Sequence, residues 1–152
     1  MKRKYDLSFM KAEITTMTLE EFRTAYAIND RRRHLIDELL EELKVIARQC
    51  RKFSIIVFGS YITDKDEPDD IDVLISLLPK KECVFAIMKE GIEKEHQKEV
   101  DIQFQRGEYY TKSAESLIDF FNENPFNLKK GIRIRKAVEL LVSGCYGETQ
   151  GE

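Results

Sequence analysis

The sequence predicts an α/β (α+β) fold in which helices pack on a small mixed β-sheet. A long apolar stripe at helical spacing lies between residues 30 and 50, whereas apolar and polar residues alternate over residues 70–77 and 99–104. A short β-branched run at residues 54–58, followed by glycine, adds a buried strand. We expect the 30–50 helix to cover one face of the sheet.

Two capping signals predict where the first helices begin. A capping box at residues 18–21 predicts a short helix to about Ile28. Asn29-Asp30 supplies a second cap, and the apolar stripe of the helix after it consists of Ile36, Leu39, Leu40, Leu43, Ile46, Ala47 and Cys50. Further helices are predicted over residues 80–96 and 113–122.

The segments between and after these helices predict the remaining elements. The polar connection over residues 59–69 has room for one helical turn. Near the end of the chain two interpretations stay open. Residues 132–140 suit an edge strand and residues 135–142 suit a helix that ends at Gly144, and we favour the strand.

Composition indicates one soluble globular domain. The chain has 152 residues, of which 42% are hydrophobic and 35% are charged. A formal net charge of −3 argues against wholesale binding to nucleic acid or to an anionic membrane, but 25 Lys and Arg residues leave room for a local basic patch. The predicted organisation is an N-terminal extension over residues 1–17, a single domain over 18–145 and a flexible tail over 146–152.

The apolar runs and the cysteines exclude several classes. No apolar run approaches the length of a signal peptide or a membrane span. Cys50, Cys83 and Cys145 are odd in number and widely spaced, which argues against a disulfide framework and a zinc site. We therefore expect a cytoplasmic protein with reduced thiols and no membrane contact.

Asp70 and Asp72 are the first candidate functional residues. Side chains two apart on a strand point to the same face, with Cα atoms roughly 6.5–7 Å apart. Two carboxylates placed in this way repel each other unless a cation lies between them, and Mg²⁺ (or Mn²⁺) takes such oxygen ligands together with substrate phosphates. Asp101, on the polar side of the next predicted strand, is a candidate third carboxylate that holds a second ion and accepts a proton.

Gly59 and Ser60 follow the predicted 54–58 strand. Glycine lets a phosphate approach the backbone closely, and serine offers a hydroxyl and an amide donor. If the strands are adjacent, a phosphate cradle and metal carboxylates lie side by side. Each half alone is common in unrelated proteins, but the combination at this spacing arises by chance in roughly one chain of this length in a hundred.

Two basic clusters have two interpretations each. Either they grip a triphosphate or an RNA backbone, or they are solvated faces, and the second interpretation is favoured. His34 and His96 are interpreted as surface residues. The clusters are Arg31-Arg32-Arg33 and the group of Lys129, Lys130, Arg133, Arg135 and Lys136.

The order of these residues resembles the nucleotidyltransferase superfamily typified by DNA polymerase beta. Phe58-Gly59-Ser60, nine intervening residues, Asp70-Ile71-Asp72-Val73 and then Asp101 match its signature. The size is similar to that of the minimal nucleotidyltransferases, including antitoxin-type members. A closer resemblance is to a group of bacterial and prophage nucleotidyltransferase-like proteins without an agreed activity, carried by Glu20-Glu21-Phe22, Arg31-Arg32-Arg33, the Gly-Ser to Asp-x-Asp string and Lys130-Gly131-Ile132.

The resemblance implies the nucleotidyltransferase fold and a reaction. Asp70, Asp72 and Asp101 would bind Mg²⁺ or Mn²⁺, and Gly59 and Ser60 would hold the triphosphate of a nucleotide. Lys65 would reach a phosphate, although a solvated salt-bridging role is equally open. A nucleoside monophosphate would pass from a nucleoside triphosphate to a hydroxyl of a protein, an RNA or a small molecule. The alternative is an inactive nucleotidyltransferase-fold binding module or antitoxin-like protein, and the oligomeric state stays open.

Overall fold

The computed structural model describes residues 11–49, 53–77, 99–105 and 114–141. The strands in these ranges are β1 (Glu13–Thr18), β2 (Phe53–Phe58), β3 (Ile71–Leu77), β4 (Val100–Gln105) and β5 (Lys136–Leu141). The helices are α1 (Leu19–Tyr26), α2 (Asp30–Gln49), α3 (Ala114–Glu123), α4 (Pro125–Lys130) and a 3₁₀ turn at Gly59–Ile62. The helix predicted over residues 80–96 lies outside the described residues.

The strands form one mixed sheet in the order β1-β5-β2-β3-β4. The β1–β5 and β3–β4 pairs are parallel, while β2 runs antiparallel to both β5 and β3. This arrangement confirms the predicted α+β class with a small mixed sheet.

The strand preferred for the tail is confirmed as β5, but its predicted position at an edge is wrong. β5 lies between β1 and β2. Ala137, Val138 and Leu140 are buried, with Ala137 facing one side of the sheet and the other two facing the opposite side. A strand covered on both faces and paired on both edges belongs inside a sheet.

Residues 13–17, predicted as part of an N-terminal extension, instead form most of edge strand β1. Ile14 lies opposite Ala137 and Met17 opposite Leu140 in the pairing with β5. Only these two side chains of β1 are half-buried, and they are three residues apart. The segment therefore lacks the alternation of apolar and polar residues that would predict a strand from the sequence.

The predicted helix caps are present. The Thr18 hydroxyl accepts a hydrogen bond from the Glu21 amide, and the Glu21 carboxylate accepts one from the Thr18 amide. The Asn29 side-chain oxygen accepts from the Arg32 amide and caps α2. No helix in the part of the chain that the structure describes is long and apolar enough to cross a membrane.

Helices cover both faces of the sheet. On one face the buried stripe of α2 packs against alternate residues of β2, β3 and β4, such as Val57, Val73 and Ile102. On the other face α3 packs against the intervening residues, such as Ile56 and Leu74. Because Asp72 and Asp101 alternate with residues that face α2, they lie on the α3 side.

Candidate metal and phosphate site

The sheet register brings the three predicted carboxylates together. Asp72 of β3 lies directly opposite Asp101 of β4 in a parallel pair. Asp70 comes just before β3, which begins at Ile71 rather than at the predicted residue 70. One carboxylate oxygen from each of Asp70, Asp72 and Asp101 lies within 4.8 Å of those of the other two. A single small cation could contact all three side chains.

The entrances to β3 and β4 are joined by a backbone hydrogen bond. The Ile71 amide donates to the Glu99 carbonyl oxygen at 2.9 Å. Asp70 directly precedes the paired region that this bond begins, and Asp101 lies within it. The spacing between the two carboxylate-bearing segments is therefore set by the sheet rather than by free loops.

The carboxylates are electrostatically crowded. Burial raises the pKa of Asp72 to about 7, aided by the charges of Asp70 and Asp101 and by a hydrogen bond with Asp101. Burial also raises the pKa of Asp70, as do the charges of Asp101 and Asp69, against the opposing charges of Lys65 and Arg31. Full ionisation of this cluster is unfavourable without a cation, which is the electrostatic property of a metal site.

Gly59 is required for two separate reasons. Its φ of +81° is in the left-handed region that side chains disfavour. A Cβ atom at this position would also collide with a carboxylate oxygen of Asp72. The backbone of the predicted phosphate turn therefore lies against the carboxylate cluster, and only glycine permits that approach.

Ser60 and Lys65 occupy the connection that follows. The Ser60 carbonyl accepts hydrogen bonds from the Thr63 amide at 3.1 Å and the Thr63 hydroxyl at 2.7 Å, which closes the 3₁₀ turn. Lys65 is exposed, and its charge opposes the rise in the pKa of Asp70. Lys65 is thus electrostatically coupled to the cluster, with its side chain open to solvent.

Arg32 is buried, so its interpretation as a solvated residue is wrong. Its side chain is 2% exposed. The guanidinium donates to the carbonyl of Tyr61 at 2.6 Å and that of Thr63 at 2.8 Å. It also donates to the carbonyls of Tyr26 and Lys65, and it lies 4.9 Å from the centre of the Tyr61 ring. The Tyr61 hydroxyl in turn donates to the Arg32 carbonyl at 2.7 Å.

Arg31 holds the last part of the same connection, and it is not a solvated residue either. It donates to the Pro68 carbonyl at 3.0 Å and the Asp69 carbonyl at 2.6 Å. It also forms an ion pair of 3.0 Å with Glu99, whose other oxygen lies 3.0 Å from His34. Hydrogen bonds from Arg31 and Arg32 therefore hold residues 61–69, the arginine-bound loop, against α2. This loop leads directly to Asp70. Arg33, by contrast, is exposed and pairs with Asp30 within the helix.

A signal for these internally hydrogen-bonded arginines was present in the sequence. Cations in the first turn of a helix oppose the helix dipole, and Arg31 and Arg32 directly follow the Asn29-Asp30 cap. Arginine side chains placed against the dipole gain from hydrogen-bond acceptors elsewhere in the protein. The structure supplies them as loop carbonyls.

Fold and site define a mixed-sheet α+β domain with three carboxylates beside a glycine-serine turn. The chain belongs to the DUF6932 family, a family of unknown function, whose profile matches residues 5–134. The matched region contains the whole carboxylate cluster and the turn. No curated protein and no solved structure matches the chain.

Proposed function

We propose that this protein is a divalent-cation-dependent nucleotidyltransferase that transfers a nucleoside monophosphate from a nucleoside triphosphate to a hydroxyl group. One observation carries the proposal: Asp70, Asp72 and Asp101 converge within 4.8 Å beside Gly59. The resemblance in residue order described above supports the same reaction.

The residues present fit Mg²⁺ or Mn²⁺. The donor set consists only of carboxylate oxygens, which hard cations prefer. The raised pKa of Asp72, about 7, reflects its partial burial and its repulsion by the other two carboxylates, which a cation would neutralise. Asp70, Asp72 and Asp101 would hold the ion, which supplies charge neutralisation at the attacking and leaving oxygens.

The chain's own groups would then divide the remaining work. The Gly59 backbone permits a phosphate to approach the turn, where the Ser60 hydroxyl and amide offer donors. Lys65 contributes positive charge near the same phosphates. Asp101 is exposed, so its carboxylate can reach an acceptor and take the proton of the attacking hydroxyl. The acceptor oxygen bonds to the α-phosphorus, and the bond from that phosphorus to its bridging oxygen breaks to release pyrophosphate.

Labelled nucleoside triphosphates test this proposal. Each is incubated with the protein, Mg²⁺ or Mn²⁺, and cell extract, and label is counted in the RNA, protein and small-molecule fractions. Asp72→Asn is expected to lower transfer at least about 100-fold. Asp64→Asn is the matched control, because Asp64 is an exposed carboxylate of the neighbouring loop, and it is expected to transfer label normally.

Two outcomes contradict the proposal. One is that the wild-type protein transfers no label with any nucleotide and either cation, a result that favours a nucleotidyltransferase-fold binding module. The other is transfer that persists in Asp72→Asn or in the presence of EDTA.

A further inference from the structure

Residues 129–136, the basic segment, concentrate positive charge in an otherwise acidic chain. The segment holds five cations and no carboxylate, and they are Lys129, Lys130, Arg133, Arg135 and Lys136. Since the segment carries +5 of a total of −3, the rest of the chain carries −8. Such asymmetry is typical of a surface that binds a polyanion.

Most of this charge is free to meet a partner. Lys129, Lys130, Arg135 and Lys136 are all exposed. None of these four forms an ion pair with a carboxylate of the described ranges. Glu13 lies opposite Lys136 in the strand pairing but makes no ion pair with it. Three cations of α1 and α2 behave differently, since Arg23, Arg33 and Lys44 are all paired.

An exposed aromatic ring accompanies these cations. Phe126 of α4 is 63% exposed, and the Lys130 ammonium lies 4.8 Å from the centre of its ring. Leu128 and Ile132 are also exposed. A ring open to solvent beside several cations is the arrangement on which nucleic-acid bases stack while phosphates meet the charges.

The basic segment enters the sheet at the same end as the carboxylates. Ala137, the residue after the segment, pairs with Phe58, and Phe58 pairs with Asp72. Asp72 in turn lies opposite Asp101. The segment therefore ends about two strand spacings, roughly 10 Å, from the carboxylate cluster.

We propose that single-stranded RNA binds across the basic segment and the Phe126 ring. RNA fits this surface because its phosphates match the unpaired cations and its bases match the exposed ring. Each of its nucleotides also carries a free hydroxyl, the acceptor group of the reaction proposed above. The part of this inference in which the bound RNA presents a hydroxyl to the carboxylates rests on the proposed function. An anionic membrane surface fits less well, because α4 has only six residues and membrane-surface helices are commonly much longer.

Fluorescence anisotropy with a labelled short RNA tests binding separately from catalysis. The measurement uses EDTA, so that no cation links the RNA to the carboxylates. Lys129→Gln/Lys130→Gln/Arg135→Gln is compared with Arg23→Gln/Arg33→Gln/Lys44→Gln, which removes the same number of positive charges elsewhere. In about 50 mM salt the first variant is expected to bind at least about tenfold more weakly than wild type. The slope of the logarithm of its binding constant against the logarithm of the salt concentration should be smaller in magnitude by about 2. The second variant is expected to bind normally.

A further substitution isolates stacking. Phe126→Leu keeps an apolar side chain but removes the ring, and we expect at least about fivefold weaker binding. Asp72→Asn is expected to bind RNA like wild type in EDTA. RNA binding of this kind without any label transfer would support the surface and contradict the proposed function.

Three results would overturn the RNA surface. The first is no RNA binding by the wild type in about 50 mM salt. The second is equal binding by the two triple variants. The third is a preference for another ligand, either single-stranded DNA of the same sequence or vesicles of phosphatidylcholine and phosphatidylserine in a cosedimentation assay.

Discussion

The arginine-bound loop and the basic segment involve the same residue types in opposite ways. Arg32 is buried and binds four backbone carbonyls, and Arg31 binds two more carbonyls and Glu99. In the basic segment, Lys129 and Lys130 are exposed at the end of α4. One set of cations holds the protein's own backbone, and the other faces solvent.

The position of each cation relative to its helix explains the difference. Lys129 and Lys130 lie in the last turn of α4, where the helix dipole favours positive charge without any other partner. Arg31 and Arg32 lie in the first turn of α2, where the dipole disfavours it. In this protein two of the three arginines at the start of α2 therefore bind internal acceptors, whereas the lysines at the end of α4 are open to an external ligand.

The largest expected effect is that of removing Arg32. Arg32→Met leaves three loop carbonyls and the Tyr26 carbonyl without their donor, and we expect it to lower the free energy of unfolding by about 3–5 kcal/mol. Urea unfolding measures this change. The same substitution at Arg33, which loses only an exposed pair with Asp30, should cost less than about 0.5 kcal/mol. Equal losses in the two variants would contradict the role assigned to Arg32.

The two left-handed glycines of the described residues provide a matched pair, one just before the arginine-bound loop and one in the basic segment. Gly59 has φ +81° and no room for a Cβ, whereas Gly131 has φ +74° and no atom within 4 Å of that position. Gly131→Ala should therefore cost only the backbone strain, about 1–2 kcal/mol. Gly59→Ala should cost about 2–4 kcal/mol, because it adds a steric collision with Asp72.

A second measurement on this pair concerns the cation. Gly59→Ala displaces the Asp72 carboxylate and is expected to weaken Mn²⁺ binding, measured by electron paramagnetic resonance, at least about tenfold. Gly131→Ala should bind Mn²⁺ like wild type. If both glycine variants keep wild-type affinity, Asp72 is not a ligand.

A smaller effect than that of Gly59→Ala is expected at the carboxylate cluster, where one substitution should raise stability. The folded-state pKa of Asp72, about 7, lies above the ordinary aspartate value of 3.8. The contribution of the protonated Asp72 carboxyl to the free energy of unfolding is thus fully present below about pH 4, and it is lost as the pH rises through about 7. In cation-free buffer at about pH 8, Asp72→Asn should therefore be more stable than wild type by about 1–3 kcal/mol, after allowance for solvent screening.

Thermal unfolding over a pH series checks this sign. The advantage of Asp72→Asn should shrink as the pH falls toward 4, and millimolar Mg²⁺ should stabilise wild type but not the variant. Asp64→Asn, in the neighbouring loop, should follow the wild-type curve. If the wild type is more stable than Asp72→Asn at every pH without cations, the ionised Asp72 carboxylate is not destabilised by burial and by its charged neighbours.

Local patterns predicted most elements of the fold. The caps at Thr18 and Asn29, the α2 stripe and strands β2, β3 and β4 each follow from residues close together in sequence. The period of two along β3 and β4 also indicated which carboxylates share a face. The direct register of Asp72 with Asp101 needed the structure, because side-chain alternation fixes a face but not a neighbour.

The features that sequence reasoning missed depend on distant partners. β1 exists because Ile14 and its neighbours pair with β5, more than a hundred residues later. The place of β5 inside the sheet depends on that same pairing. Arg32 reads as a surface residue until the carbonyls of Tyr61 and Thr63 are brought to it by the chain reversal after β2.

β5 lies inside the sheet but follows the other four strands in the sequence, so the sheet is completed only once residues 136–141 have been synthesised on the ribosome. β1 and β2 emerge early but are not neighbours, and each has one edge that waits for residues 136–141. Until these residues are made, β2 has only β3 beside it, and the row from Ala137 through Phe58 to Asp72 is incomplete. The carboxylates and the basic segment therefore become neighbours only after the other four strands of the sheet have been made.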